Sequence, residues 1–168
     1  MHGSVEDFLE QVARRGSWYG GGSVAALSAA CASALLEKLV TQKSAAKKLR
    51  RLREDCFDLI EKDATSFAQA IGSMRLGQRA VFVSRLKAAT EVPYRVLVNA
   101  YRVKAMAKAY QKTIKPQFQS DVRCALSLAQ AAADAAQAFI ETNLAWLKVQ
   151  PYTNDMHKRI RRAKHHAR

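Results

Sequence analysis

The sequence predicts an all-α protein, a single-domain bundle of five to six helices. Three observations carry this. Apolar residues recur at three- and four-residue spacing along most of the chain. Glycine and proline are scarce, 7 and 3 in 168 residues. No stretch shows the β-branched alternation of a strand. The length suits one core, and with 49% hydrophobic residues a folded chain is expected.

The elements follow in order. Ser4 caps a first helix, with Asp7 as its capping-box partner and Val5, Phe8, Leu9 and Val12 on one face. Gly16 closes it. Gly20, Gly21 and Gly22 form a loop, and Ser23 is read as the N-cap of a small-residue helix over roughly 24–42. Its Ala26, Ala30, Ser33 and Ala34 face allows close helix approach. A third helix, about 45–71, carries the stripe Leu49, Leu52, Cys56, Leu59, Ile60, Ala64 and Phe67, and begins with Lys47, Lys48, Arg50, Arg51 and Arg53. Gly72 to Gly77 reads as a break. A fourth helix covers 79–91 and stops before Pro93. A fifth starts at Pro93, since proline is tolerated at a first helical position, and runs to about Gln111. After Pro116, Ser120 caps a long helix to Leu147, with Val122, Ala125, Ala129, Ala133, Ala136, Ile140 and Leu144 on one side. The helical domain is read as 1–150, followed by a basic C-terminal tail, 151–168. The two alanine-rich helices bury little area per residue, at about 0.8 kcal/mol per methylene, so further burial in a homo-oligomer is expected.

The formal net charge of +14 favours an anionic partner. Cys31, Cys56 and Cys124 are odd in number and lack metal spacing, which suits reduced thiols in a cytoplasmic protein. The start of the chain has no continuous apolar run, and Val24 to Leu36 is too short for a bilayer, so neither a signal peptide nor a membrane partner is expected. His2, His157, His165 and His166 lie at the termini. Acid–base work at a core site therefore falls to Asp, Glu, Lys or Tyr, and no metal site is expected.

Four places carry candidate chemistry. The free N–H groups behind the glycine loop suit a carboxylate or phosphate. The loop is neither a Rossmann fingerprint nor a P-loop, because no strand precedes it and no Lys-Ser/Thr follows. Asp63 falls on the same helix side as Leu59 and Phe67, and a carboxylate there is costly unless it is hydrogen-bonded or functional. Asp121, beside Ser120, is either a first-turn acid or a carboxylate at a pocket mouth. Glu91, in Thr90-Glu91-Val92-Pro93, is either a solvated residue or a site acid, while Tyr94 and Tyr101 read as core.

Taken together, Ser4-Val5-Glu6-Asp7-Phe8-Leu9, Gly20-Gly21-Gly22-Ser23-Val24-Ala25-Ala26-Leu27, Asp63 with Ala64 and Phe67, Ala88-Ala89-Thr90-Glu91-Val92-Pro93, Ser120-Asp121-Val122 and Thr142-Asn143-Leu144 resemble one family. It is the cyclodeaminase domain of formiminotransferase-cyclodeaminase and the related small methenyltetrahydrofolate cyclohydrolases. The resemblance runs from about residue 4 to 147. It implies an all-helical oligomer acting on the one-carbon unit of a tetrahydrofolate derivative, polyglutamylated or not, without a tightly bound cofactor. One family reaction closes 5-formimino-tetrahydrofolate to the 5,10-methenyl form with loss of ammonia; the other opens the methenyl bridge with water. By the same resemblance Asp63 and Asp121 divide pterin anchoring and acid–base work. Gly20, Gly21, Gly22, Ser23, Glu91, Lys115, Ser120 and Asn143 then bind substrate. The chain departs from the family where Trp18 and Tyr19 replace prolines, and where Lys115, Gln117 and Phe139 replace asparagines. The alternative is a non-catalytic relative of the fold that binds nucleic acid or another polyanion through the basic third-helix start and tail.

Overall fold

The computed structural model describes residues 3–165; His2, His166 and Arg168 lie outside them. The described residues form α1 (Val5–Ala13), α2 (Gly21–Leu39), α3 (Lys43–Arg75), α4 (Arg79–Tyr110), α5 (Gln119–Leu147) and α6 (Gln150–His165), with 3-10 turns at Gln111–Thr113 and Pro116–Phe118. No strand occurs among them, and the all-α expectation holds. The four long helices form a ring in which α2 packs on α3, α3 on α4, α4 on α5 and α5 back on α2, while α6 lies against α4.

The α3 and α5 stripes enter the core as the spacing predicts: Leu49, Leu59, Ile60, Val122, Ala129, Ala133 and Ile140 are fully buried. The α1 capping box forms too, Asp7 N–H donating to Ser4 Oγ at 3.1 Å and Ser4 N–H to Asp7 Oδ2 at 2.6 Å. On α2, Ala26, Ala30 and Ser33 are buried and Ala34 is exposed. The α2 serines bond carbonyls of neighbouring helices: Ser23 Oγ donates to Ile60 O (3.0 Å), Ser28 Oγ to Leu128 O (3.0 Å) and Ser33 Oγ to Leu49 O (2.8 Å). Buried hydroxyls need such partners, and here they fix α2 against α3 and α5. At 19 residues α2 is longer than the apolar stretch Val24 to Leu36, and by length and composition it reaches membrane-span size; half of it is buried in the bundle.

Five expectations need correction. Ser23 is not the cap of α2: Gly20 is, and the helix begins at Gly21. Ser120 does not cap α5 either, since the helix starts at Gln119 behind Phe118. The two helices expected on either side of Pro93 are one, α4, with Pro93 inside it, and α3 continues through Gly72 to Arg75. Core burial of Ala89, Val92, Val96 and Leu97 on both sides of the proline keeps the helix continuous, outweighing the lost hydrogen bond. The stretch after Pro151 is no tail: it is α6, which buries Met156 and Ile160 in the main core.

Candidate functional site

One end of the bundle holds a cavity of about 340 Å³. Its walls come from five places: the loop before α2, the first turn of α2, the Asp63–Phe67 turn of α3, Ala89 and Pro93 of α4, and Phe139, Thr142, Asn143 and Trp146 of α5. Among the described residues lining it, Asp63 alone carries a side chain that ionises.

Asp63 is placed by the start of α2. Its Oδ2 accepts from Ser23 Oγ at 3.1 Å, and the Ser23 backbone amide also bonds the carboxylate. The anion at this helix N-terminus is therefore the protein's own side chain, not an incoming carboxylate, and it satisfies donors that every helix start leaves free. Burial pushes the Asp63 carboxyl above its ordinary value, opposed by the two bonds from Ser23.

The glycines serve close approach. A Cβ on Gly22 would overlap the Asp63 carboxylate, and one on Gly21 would overlap the Phe139 ring. Gly20, Gly21 and Gly22 do not use positive φ; among described glycines Gly3, Gly16 and Gly77 do. Their role here is steric: the missing Cβ lets Asp63 and Phe139 approach the start of α2.

The mouth is aromatic. Trp18 meets Phe67 edge-on with centroids 6.4 Å apart, and Phe67 meets Trp146 at 6.3 Å. Arg75 lies 5.8 Å from the Trp18 ring centre. Trp18 and Trp146 remain 40% and 44% exposed, so both offer ring surface to a ligand. Pro93 adds a feature of the backbone. It has no N–H, so the carbonyl of Ala89, four residues earlier, lacks its helical donor. Ala89 and Pro93 both line the cavity, which gives it a backbone acceptor.

The remaining predicted residues are not brought here within the chain. Asp121 lies 22 positions before Asn143 on α5, about 33 Å along the axis, and pairs with Lys38 at 3.7 Å. Ser120 and Lys115 are exposed at that same far end. Glu91 is two residues, about half a turn, from both Ala89 and Pro93 and faces α6. Arg159 Nη1 and Nη2 donate to its two oxygens at 2.7 and 2.6 Å, and Tyr152 Oη lies 3.1 Å away. Those bonds, the Arg159 pair first, hold the Glu91 carboxyl below its ordinary value. Asp63 and Asp121 therefore do not form a catalytic pair within one chain, and Glu91 ties α4 to α6. Asn143, Gly20, Gly21, Gly22 and Ser23 are at the site, Ser23 through Asp63. The sequence reading did not assign Trp18, Phe67, Phe139, Thr142 or Trp146 to the site. Their signal was there: 139, 142, 143 and 146 follow i, i+3, i+4, i+7, and 63 and 67 follow i, i+4, so each set shares a helix face.

Fold and site together define the class: an all-α helical bundle with one buried acid in a cavity with an aromatic mouth. The chain is a member of the formiminotransferase-cyclodeaminase family, whose sequence profile matches residues 4–162. Its fold is similar to the crystal structure of formiminotetrahydrofolate cyclodeaminase from Thermotoga maritima, with a TM-score of 0.91, 20% identity, and coverage of 99% of this chain and 90% of that one. No curated protein matches the chain in sequence.

Proposed function

We propose that the protein is a folate one-carbon enzyme acting on the unit between N5 and N10 of tetrahydrofolate, as a cyclodeaminase. One observation carries this reading beside family membership: the cavity holds a single ionisable group, the anion Asp63, and no cation. The protonated formimino group and the methenyl product are both cationic, and a carboxylate in a desolvated cavity favours a positive centre. The aromatic mouth suits the pterin ring, and the Ala89 carbonyl, Thr142 and Asn143 supply polar partners for its edge.

In this reading N10 attacks the amidinium carbon and a C–N bond forms. The Asp63 carboxylate takes the N10 proton and returns it to the amino group on that carbon. The C–N bond to that group breaks, ammonia leaves, and the methenyl cation remains. A carboxyl that burial holds above its ordinary value is suited to accepting and releasing one proton. The methenyl bridge absorbs light, so its appearance together with ammonia release tests the proposal. Absorbance loss without ammonia, starting from methenyl-tetrahydrofolate, identifies the cyclohydrolase reaction instead. Neither signal with the intact chain overturns both. The same reading includes a homo-oligomer, its contact on the exposed α2 face of Val24, Cys31 and Ala34. A monomer mass in light scattering refutes that part.

A further inference from the structure

The charge excess has no role in the cavity, and the structure shows where much of it goes. A groove of about 660 Å³ runs between α3, α4 and α6. Lys48, Arg51, Arg102 and Arg162 stand in its walls. A second depression of about 460 Å³ shares Arg51 and adds Lys43 and Lys47. Between Lys43 and Arg51 the cations extend about 12 Å along α3. Lys43, Lys47, Lys48, Arg51 and Arg102 have no ion-pair partner among the described residues. The acids in the walls already face arginines: Glu54 lies 3.9 Å from Arg53 and Asp55 4.0 Å from Arg95. The floor is apolar, with Val98, Met106 and parts of two tyrosines: Arg159 covers one face of Tyr94 at 4.1 Å, and Tyr101 is buried.

We propose that this double groove is a binding site for single-stranded nucleic acid. Cations spread over two adjoining depressions match a string of phosphates, and a small anion would fill only one. A duplex would satisfy the cations but has no use for an apolar floor of Val98, Met106 and the open face of Tyr94, against which unpaired bases can lie. A second copy of the chain would bring this basic face against its own like charges. The site is separate from the Asp63 cavity, which has no cation in its walls.

The test is filter binding of oligouridylate and oligothymidylate to the full chain across a salt series. Five phosphate contacts, one for each unpaired cation, predict a log–log salt slope of about −3.5. The double variant Arg51→Glu/Arg102→Glu changes two exposed side chains, so folding is unaffected. It should weaken binding by on the order of tenfold and make the slope shallower by about 1.4. Arg14→Glu/Arg15→Glu makes the same change of net charge at exposed positions outside the groove, and should leave affinity within about twofold. An abasic strand and a duplex of equal length should both bind more weakly than the single strand. Equal loss in the two variants, equal binding of duplex or abasic strand, or equally good competition by polyglutamate each overturns the proposal, as does no binding at low salt.

Discussion

The two ends of this bundle handle charge in opposite ways. The cavity buries one carboxylate among Trp18, Phe67, Phe139 and Trp146 and fixes it with two bonds from Ser23. The double groove is lined by seven exposed cations, of which Arg50 is paired with Glu37, over an apolar floor. In the first, position matters more than number, because a desolvated charge is strong and expensive. In the second, number matters more than position, because each exposed charge is screened. Substitutions near Asp63 should therefore act in large single steps, and substitutions in the groove in small increments.

The largest expected effect is from Asp63→Asn. Losing the proton carrier should lower kcat by about 10²–10⁴-fold in the methenyl absorbance assay. A variant at parental rate removes Asp63 from the chemistry. Its stability should change with a definite sign. Asp63 has a raised carboxyl in the folded state, so its contribution is full below the unfolded value and lost as pH rises through the folded one. The melting temperature of Asp63→Asn should therefore gain on the parent as pH rises above about 4, and the gain should level off above the raised folded value.

Gly22→Ala comes next, since its Cβ would overlap the carboxylate. Displacing Asp63 should reduce turnover by on the order of a hundredfold. It should also cost about 1–3 kcal/mol in chemical denaturation, although alanine is the better helix former. An active, more stable variant would show that the close contact is dispensable. Pro93→Ala tests the backbone acceptor. Restoring the N–H should raise stability by up to about 3 kcal/mol while occupying the Ala89 carbonyl. Substrate KM should rise about fivefold, the worth of one neutral hydrogen bond; unchanged KM means the carbonyl does not touch substrate.

The smallest effect belongs to Arg159→Ala. The Glu91 pair is partly exposed, so after screening its loss should cost about 1 kcal/mol. Glu91 is held below its ordinary value, so its contribution is present above the unfolded value near about 4.5 and fades as pH falls through the folded one. The variant and the parent should converge in acid melts. A gap that persists there would assign Arg159 a packing role instead.

Legibility in the sequence followed the same division. The stripes on α3 and α5 and the Ser4–Asp7 cap were readable because each depends on neighbours within a few positions. Asp63 was readable as an acid on an apolar face. The continuity of α4 through Pro93 was not, since packing on both sides overrides a local rule. Nor was α6, whose two buried residues, Met156 and Ile160, are spread thinly among charges. Asp121 and Ser120 look like site residues in a linear reading, but a rigid helix of 29 residues carries them away from Asn143. Glu91 shows the finer limit: two residues, about half a helical turn, separate facing the cavity from facing Arg159.

The chain has two tryptophans, and both stand at the cavity mouth, linked through Phe67. All of its indole emission therefore comes from the site. A ligand seated between the rings should quench or shift it without any label. A fluorescence melt of this protein would report the opening of that mouth, while circular dichroism reports the bundle. If the two transitions part in temperature, the site loosens before the fold does.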